Sequence, residues 1–194
     1  MQFEVYNILT LIDEENGMGE KAVQNLLSHF SCPRSTEIEY FLKNNAIDFS
    51  KRRMSITYLV LDENMDLAAY FTLTHKSTKI SEDILSKTQY KKLAAHAKMD
   101  ISGQFDVSAF LIAQLGKNAA VKTSDKLPGS KLIEIILGIL ENIQQYIGGG
   151  VVFLECDPQP ALIKFYQKAP NRFVMYGERD SEEGIKYCQM LRFF

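Results

Sequence analysis

The sequence predicts an α+β fold, in which a mixed sheet carries helices on both faces and a βαβ unit lies at its centre. Three consecutive segments indicate this unit. Residues 107–115 have apolar side chains at both odd and even positions, which is typical of a strand covered on both faces. Residues 132–146 repeat apolar side chains at helical spacing, and residues 151–154 form a second short apolar segment. A strand, a crossover helix and a strand in this order are expected to be parallel and right-handed.

The first part of the chain predicts a strand and two helices. Residues 2–11 alternate loosely between polar and apolar side chains, as in a strand. Residues 20–30 repeat apolar side chains every three or four positions, which predicts a helix. Ser35 or Thr36 could cap a second helix that continues to Asn44.

A hairpin and a lysine-rich segment follow. Residues 55–61 and 67–73 are rich in β-branched and aromatic side chains and flank a polar turn, so they predict a hairpin. Residues 76–98 hold six lysines against two acidic side chains, and their apolar side chains are sparse. This composition predicts a solvated helical excursion on the surface, or a mobile cap that meets an anionic substrate or cofactor group. We therefore expect a lysine-rich insertion at 76–104 within one domain of residues 1–194.

The last part of the chain predicts a short helix and a closing hairpin. Pro158 and Pro160 precede a helix over residues 161–168, because proline is well tolerated at a helix start. Residues 172–176 and 186–193 read as antiparallel strands joined by a glycine-containing loop.

Composition excludes several classes of protein. The 194 residues suit one domain or one domain with an insertion, and the net charge of −2 provides no basic field that would recruit nucleic acid. No signal peptide is expected, and the longest apolar run, residues 132–140, is too short to span a bilayer. The three cysteines and three histidines are scattered, so we expect reduced thiols in a cytoplasmic protein and no metal site.

A basic loop in front of the long helix predicts an anion site. The loop consists of Lys126, Leu127, Pro128, Gly129, Ser130 and Lys131. The first amides of a helix have no partner within the helix and point at whatever lies before them. A cofactor with a pyrophosphate is the natural ligand, although a single glycine before a helix also fits a simple turn.

The order of these elements resembles the GNAT superfamily of acyl-CoA-dependent N-acetyltransferases. The residues that carry the resemblance are 114–117 at the end of the central strand, the loop 126–131, and 162–168 in the late helix. The resemblance implies a mostly antiparallel sheet with a central parallel strand pair that splays apart, and acetyl-CoA as co-substrate. In this family the pyrophosphate loop ends on glycine or alanine, whereas Lys131 stands at that position here.

The resemblance also implies roles for individual residues. The backbone of Leu115, Gly116 and Lys117 would bind the pantetheine arm of the cofactor. Tyr166 matches the tyrosine that protonates the leaving thiolate. After this tyrosine the family has Gly-Phe, and the present chain supplies Phe173 without the glycine. From the residues alone, Gly116 equally fits a strand end with an ordinary glycine turn, and Tyr166 also fits a core aromatic on an amphipathic helix.

The residue that removes the proton from the acceptor amine is not assigned by the sequence. Glu155, just beyond the second buried strand, is the best candidate, and a structural hydrogen bond at the strand end is an equal alternative. Asp157 suits a helix cap. Because no cysteine has a convincing nucleophile setting, the expected reaction is direct attack of the amine on the thioester in a ternary complex.

These observations predict an N-acetyltransferase that moves an acetyl group from acetyl-CoA to a primary amine of a small molecule or protein. One alternative is an interaction or regulatory protein on a degenerate GNAT fold. Another is a toxin-like acetyltransferase of aminoacyl-tRNA, supported by the lysine-rich segment and opposed by the acidic net charge. We expect a monomer or homodimer with no membrane partner, and no nucleic-acid partner other than tRNA.

Overall fold

The computed structural model describes residues 2–122, 127–182 and 184–194. The strands are β1 (Phe3–Asn7), β2 (Ile56–Asp62), β3 (Leu67–Ser81), β4 (Lys98–Met99), β5 (Gln104–Lys117), β6 (Val151–Cys156), β7 (Val174–Asp180) and β8 (Lys186–Phe193). The helices are α1 (Ile8–Leu11), α2 (Glu20–Ser28), α3 (Thr36–Asn44), α4 (Ala46–Lys51), α5 (Lys87–Ala94), α6 (Gly129–Ile147) and α7 (Pro160–Gln167).

The strands form one mixed sheet in the order β1-β2-β3-β5-β6-β8-β7, and β4 pairs with β5 beside this path. The sheet is mostly antiparallel, and β5 and β6 are its parallel pair. The predicted fold class is therefore confirmed, including the crossover helix α6 between the two parallel strands. No described helix is long and apolar enough to cross a membrane.

The chain divides into two compact units. The first contains Met1–Thr74 and Ile112–Gly129, and the second contains His75–Leu111 and Ser130–Phe194. The organisation as one domain with an insertion at 76–104 stays a prediction.

In the first unit, side-chain caps set the first residues of two helices, α1 and α3. β1 stops at Asn7, because its side chain accepts a hydrogen bond of 2.9 Å from the backbone N–H of Leu9 and so starts α1. The predicted strand over residues 2–11 is therefore wrong in its second half. Ser35 caps α3 by accepting a hydrogen bond of 3.4 Å from the N–H of Ile38, as one of the two predicted caps.

The hairpin of the first unit is confirmed, and a helix precedes it that the sequence analysis missed. β2 and β3 pair in antiparallel register from Ile56 with Leu73 onward. The hydroxyls of Thr57 and Thr72 are fully buried and lie 2.8 Å apart across the two strands, so each satisfies the other. The missed helix, α4, has only six residues, which is too short for a periodic pattern to stand out.

The lysine-rich segment is not simply a surface excursion. β3 extends into this segment as far as Ser81. Further along, α5 begins with a capping box, in which Ser86 precedes the helix and Gln89 lies in its first turn. Ile80 and Leu93 are 1% and 0% exposed and belong to the core of the second unit. The expectation of a solvated excursion is wrong at these positions, because the strand and the short helix place Ile80 and Leu93 inward while Lys79 and the lysines of α5 stay exposed.

The end of the chain follows the prediction closely. α6 buries Leu132, Ile133, Ile136, Leu137 and Leu140. α7 begins at Pro160, one residue before the predicted start. β7 and β8 form the predicted closing hairpin, although β7 starts two residues later than expected.

The buried position of Leu93 leads to a stability prediction. Replacing Leu93 with alanine leaves a cavity in the core of the second unit, so we expect the free energy of unfolding to fall by about 2–5 kcal/mol in denaturant titration. Lys91→Ala is the matched control on the same helix, where the side chain is exposed, and should change stability by no more than about 0.5 kcal/mol. Equal stability of the two variants would contradict the core assignment of this segment.

Candidate active site

The parallel ladder between β5 and β6 is short. It consists of two pairs, Phe110 with Val152 and Leu111 with Phe153. β6 continues to Cys156 and remains paired with β8 over its whole length. Within the second unit, the carboxyl end of β6 therefore still pairs with β8 on one side, whereas its pairing with β5 on the other side has ended.

The predicted site residues are distributed over both units. Those in the first unit are Leu115, Gly116, Lys117, Leu127, Pro128 and Gly129, and those in the second are Ser130, Lys131, Glu155 and Tyr166. Lys126 lies outside the described residues. We therefore describe the two groups separately.

In the first unit, Gly116 is packed tightly near the end of β5. A Cβ atom on this residue would lie 2.7 Å from Cγ2 of Ile38 and 3.1 and 3.2 Å from ring atoms of Phe30 and Tyr70. A glycine is thus required here by the core of the unit. Neither an ordinary turn nor a bound pantetheine is needed to explain it.

Asn118, which follows β5 directly, organises the end of this strand. Its Oδ1 accepts hydrogen bonds from the backbone N–H groups of Ser31 (2.9 Å) and Ala120 (3.0 Å), and its Nδ2 donates to the carbonyl of Leu67 (2.8 Å). The side chain is 1% exposed. Its buried bonds hold the chain segment that follows Leu115, Gly116 and Lys117 in one conformation.

The helix α6 begins inside the basic stretch 126–131, three residues before the apolar segment 132–146. α6 starts at Gly129, and Leu127 before it is fully buried, which anchors this side of the loop. The ammonium of Lys131 pairs with the carboxylate of Glu134 at 2.8 Å along the helix surface. This side chain therefore has a partner one turn further along, and it does not have to occupy the space in front of the first helical amides.

In the second unit, Tyr166 is buried on α7. It is 7% exposed, and its ring lies edge-on to Phe165 and Phe173 with centroid distances of 5.1 and 5.7 Å. Burial, with smaller effects from Cys156 and Asp157, raises the pKa of the Tyr166 hydroxyl. The phenol is therefore protonated at physiological pH, and burial also makes it a weaker acid than an exposed tyrosine.

Glu155 is held by two partners. Its Oε1 and Oε2 accept hydrogen bonds from Nε and Nη2 of Arg179 at 2.9 and 2.8 Å, and Nε2 of Gln189 donates to Oε1 at 2.9 Å. Burial opposes ionisation, but these hydrogen bonds outweigh it, and the pKa of Glu155 lies below its usual value. Such a carboxylate is a weak proton acceptor, which favours the structural role for Glu155 over that of a general base.

Glu155 and Cys156 point to opposite faces at the end of β6. Successive residues of a strand alternate in direction, so Glu155 points to the face that carries Phe153, and Cys156 points to the other. Cys156 and Asp157 lie close enough to Tyr166 on α7 to contribute to the raised pKa of its hydroxyl. The carboxyl end of β6 thus carries an ion-paired carboxylate on one face and a buried thiol on the other.

The partners of these residues leave no signal in the sequence. Arg179 and Gln189 lie 24 and 34 positions from Glu155, and no local pattern links them. Lys76 was only one of six lysines in a segment, although its ammonium lies 4.8 Å from the centre of the Phe153 ring. Among the described residues, no group of three or more metal-ligating side chains comes together.

No family model matches the chain, and no curated protein matches it in sequence. Its fold is nevertheless similar to solved structures over nearly their whole length. A Tyr-to-Phe mutant of KacT has a TM-score of 0.65 and 16% identity, with 100% of this chain and 95% of that one covered. AtaT complexed with acetyl-methionyl-tRNAfMet has a TM-score of 0.62 and 13% identity, with 96% and 94% covered.

A third structure is a Tyr-to-Phe mutant of the AtaT toxin bound to the C-terminus of the antitoxin AtaR and acetyl-CoA. Its TM-score is 0.60 at 10% identity, and the match covers 100% of this chain and 94% of that one. The three likenesses show that this chain shares its fold with these solved structures, in agreement with the fold class that the sequence predicts.

The packing around Gly116 leads to a prediction with an internal control. Gly116→Ala forces a methyl group against Ile38, so we expect it to lower the free energy of unfolding by about 1–3 kcal/mol. Gly138 lies within α6 with open space at its Cβ position, so Gly138→Ala should raise stability by up to about 1 kcal/mol. Thermal or urea unfolding of both variants measures the difference, and a neutral Gly116→Ala would show that the core around Ile38 is looser than described.

Proposed function

We propose that this protein is a GNAT-type N-acetyltransferase that moves an acetyl group from acetyl-CoA to a primary amine. The observation that carries the proposal is the short parallel ladder of β5 and β6, which α6 connects, together with the buried Tyr166 on the following helix α7. A ladder of two pairs leaves backbone groups at the carboxyl end of β6 available to the amides of a pantetheine arm. Similarity to a fold neighbour that was solved with acetyl-CoA supports the same ligand.

Each part of the reaction has a candidate group in this chain. The backbone amides at the start of α6, including those of Ser130 and Lys131, would bind the pyrophosphate. The backbone near Leu115 would polarise the thioester carbonyl. The neutral amine attacks this carbonyl, the C–S bond breaks, and Tyr166 donates its proton to the departing thiolate.

The proton that the amine nitrogen loses needs an acceptor as well. Because Arg179 and Gln189 already engage the Glu155 carboxylate, we propose that Glu155 acts by holding a water molecule that takes this proton. We also propose a cytoplasmic location, which the free thiols of Cys32, Cys156 and Cys188 support.

Cofactor binding tests the proposal first. The parent protein should bind acetyl-CoA in isothermal titration, whereas a regulatory protein on a degenerate fold would not. Gly129→Asp places negative charge beside the pyrophosphate and should weaken binding by about 1–3 kcal/mol. Gly138→Asp adds the same side chain to the same helix, where the Cβ position faces open space, and should bind acetyl-CoA like the parent. Equal affinity of both variants would refute the pyrophosphate assignment.

The role of Tyr166 can be tested by removing its hydroxyl alone. Tyr166→Phe keeps the ring packing, so we expect turnover with a working acceptor to fall roughly 100-fold while acetyl-CoA affinity stays the same. Tyr146→Phe, at a position that is 88% exposed, controls for loss of a phenol elsewhere. If both variants turn over like the parent, Tyr166 is a core aromatic only.

A toxin-like acetyltransferase of aminoacyl-tRNA is the second candidate function. The likeness to AtaT complexed with acetyl-methionyl-tRNAfMet favours it, together with the exposed lysines of α5. The net charge of −2 argues against extensive contacts with RNA phosphates. Incubation with charged tRNA and radiolabelled acetyl-CoA distinguishes the two functions, because label in the tRNA fraction would identify the aminoacyl-tRNA as acceptor.

A further inference from the structure

Lys76 presents an ammonium group beside an aromatic ring. Its side chain is half-buried on β3, and its Nζ lies 4.8 Å from the centre of the Phe153 ring. Among the described residues it forms no ion pair or hydrogen bond, although Glu155 is close enough to feel its charge. A partly desolvated ammonium over an aromatic face that forms no hydrogen bond with the described residues keeps its three N–H donors for another group.

Tyr176 adds an unused hydroxyl to the same surroundings. Its ring lies 6.2 Å from that of Phe153, and the residue is 7% exposed. The hydroxyl is buried and makes no hydrogen bond of good geometry within the described residues, while the Thr78 side chain lies close enough to it to lower its pKa against the larger effect of burial. Thr78 shares a face of β3 with Lys76, because the two positions differ by two. A buried hydroxyl without a partner carries a cost that a ligand could remove.

The charges of this cluster leave a surplus of positive charge. The Glu155 carboxylate is neutralised by Arg179 through two hydrogen bonds of 2.8 and 2.9 Å. Lys76 is the third charged group, so the three together carry one net positive charge. Burial raises the pKa of Tyr176 to about 12, so its O–H group remains a donor throughout the physiological range. Both unused groups are therefore donors, and what they lack is an acceptor with negative charge.

We propose that the ammonium of Lys76 and the hydroxyl of Tyr176, gathered around the Phe153 ring beside Glu155, form a subsite that binds an oxyanion carried by the acceptor amine. The proposal rests on the acetyltransferase function and names the class of its substrate: a primary amine that also bears a carboxylate or a phosphate. Either oxyanion accepts charge-assisted hydrogen bonds from an ammonium and a phenol.

The test compares pairs of amines that differ in the oxyanion. O-phosphoethanolamine with ethanolamine represents phosphate, and 4-aminobutyrate with 4-aminobutyramide represents carboxylate. For each pair, the ratio of kcat/KM for the anionic member to that for the neutral member is measured in the parent and in three variants. Because every variant meets the same amines, differences in amine basicity cancel.

The variants are Lys76→Met, Tyr176→Phe and Lys79→Met. Lys79 lies on the same strand with its side chain on the opposite face, where it pairs with Asp100 at 3.4 Å, so it is the matched control for loss of one lysine. For the amine pair whose anionic member the parent prefers, we expect the ratio of kcat/KM for the anionic amine to that for the neutral amine to fall. The fall should be roughly 10-fold or more in Lys76→Met and about 3- to 10-fold in Tyr176→Phe. The ratio should stay within about 2-fold of the parent in Lys79→Met.

The preferred pair identifies whether the oxyanion is a phosphate or a carboxylate. A parent that shows no preference in either pair overturns the subsite, and so does an equal fall in Lys76→Met and Lys79→Met. Thermal unfolding of each variant checks that it is folded, and Tyr176→Phe, which keeps the ring, decides the matter if Lys76→Met does not fold.

A binding measurement separates the subsite from the proposed function. The same four amines are titrated calorimetrically into the protein in the presence of coenzyme A. If none is acetylated but an anionic amine binds more tightly than its neutral counterpart, and does so only with Lys76 intact, the subsite stands and the acetyltransferase proposal for these acceptors fails. Equal binding of both members of each pair by the parent overturns the subsite, whatever the enzyme assay shows.

Discussion

The two residue pairs that join β5 and β6 are the constraint on which the arrangement of the second unit depends. Parallel strands cannot be joined by a tight turn, so the nineteen residues of α6 have to cross between them. Phe110, Val152 and Phe153 in this ladder are at most 7% exposed, which fixes the inner part of β6. Beyond Phe153 the strand is held through β8, and the polar chemistry begins at that point.

The end of β6 separates two environments because strand residues alternate in direction. On one face, Cys156 is buried, and burial raises the pKa of its thiol, as it does for the Tyr166 hydroxyl on α7. On the other face, Glu155 is ionised and paired with Arg179. Alternation along β6 thus puts a neutral, buried thiol and an ion-paired carboxylate on successive residues of one strand end.

Local patterns predicted most elements because each pattern reflects burial on one side. The two-sided apolar segment became β5, and Ser35 capped α3 as its position suggested. The predictions were wrong where a single residue determined the local structure against the pattern. The side chain of Asn7 caps a helix where a strand was expected. Leu93 packs into the core and so makes part of the lysine-rich segment belong to it, because one buried leucine on a short helix is enough to hold that helix against the core.

The sequence by itself determined the βαβ unit, the closing hairpin and the presence of a tyrosine and a glutamate around the end of the second buried strand. Only the tertiary structure decided their chemistry. It paired Glu155 with Arg179, which lies 24 residues away, brought Lys76 over Phe153, and packed Gly116 against Ile38. The reason is physical: periodicity records which side of an element is buried, whereas the partner of a charged or polar group depends on strand register, which joins residues that are distant in the chain.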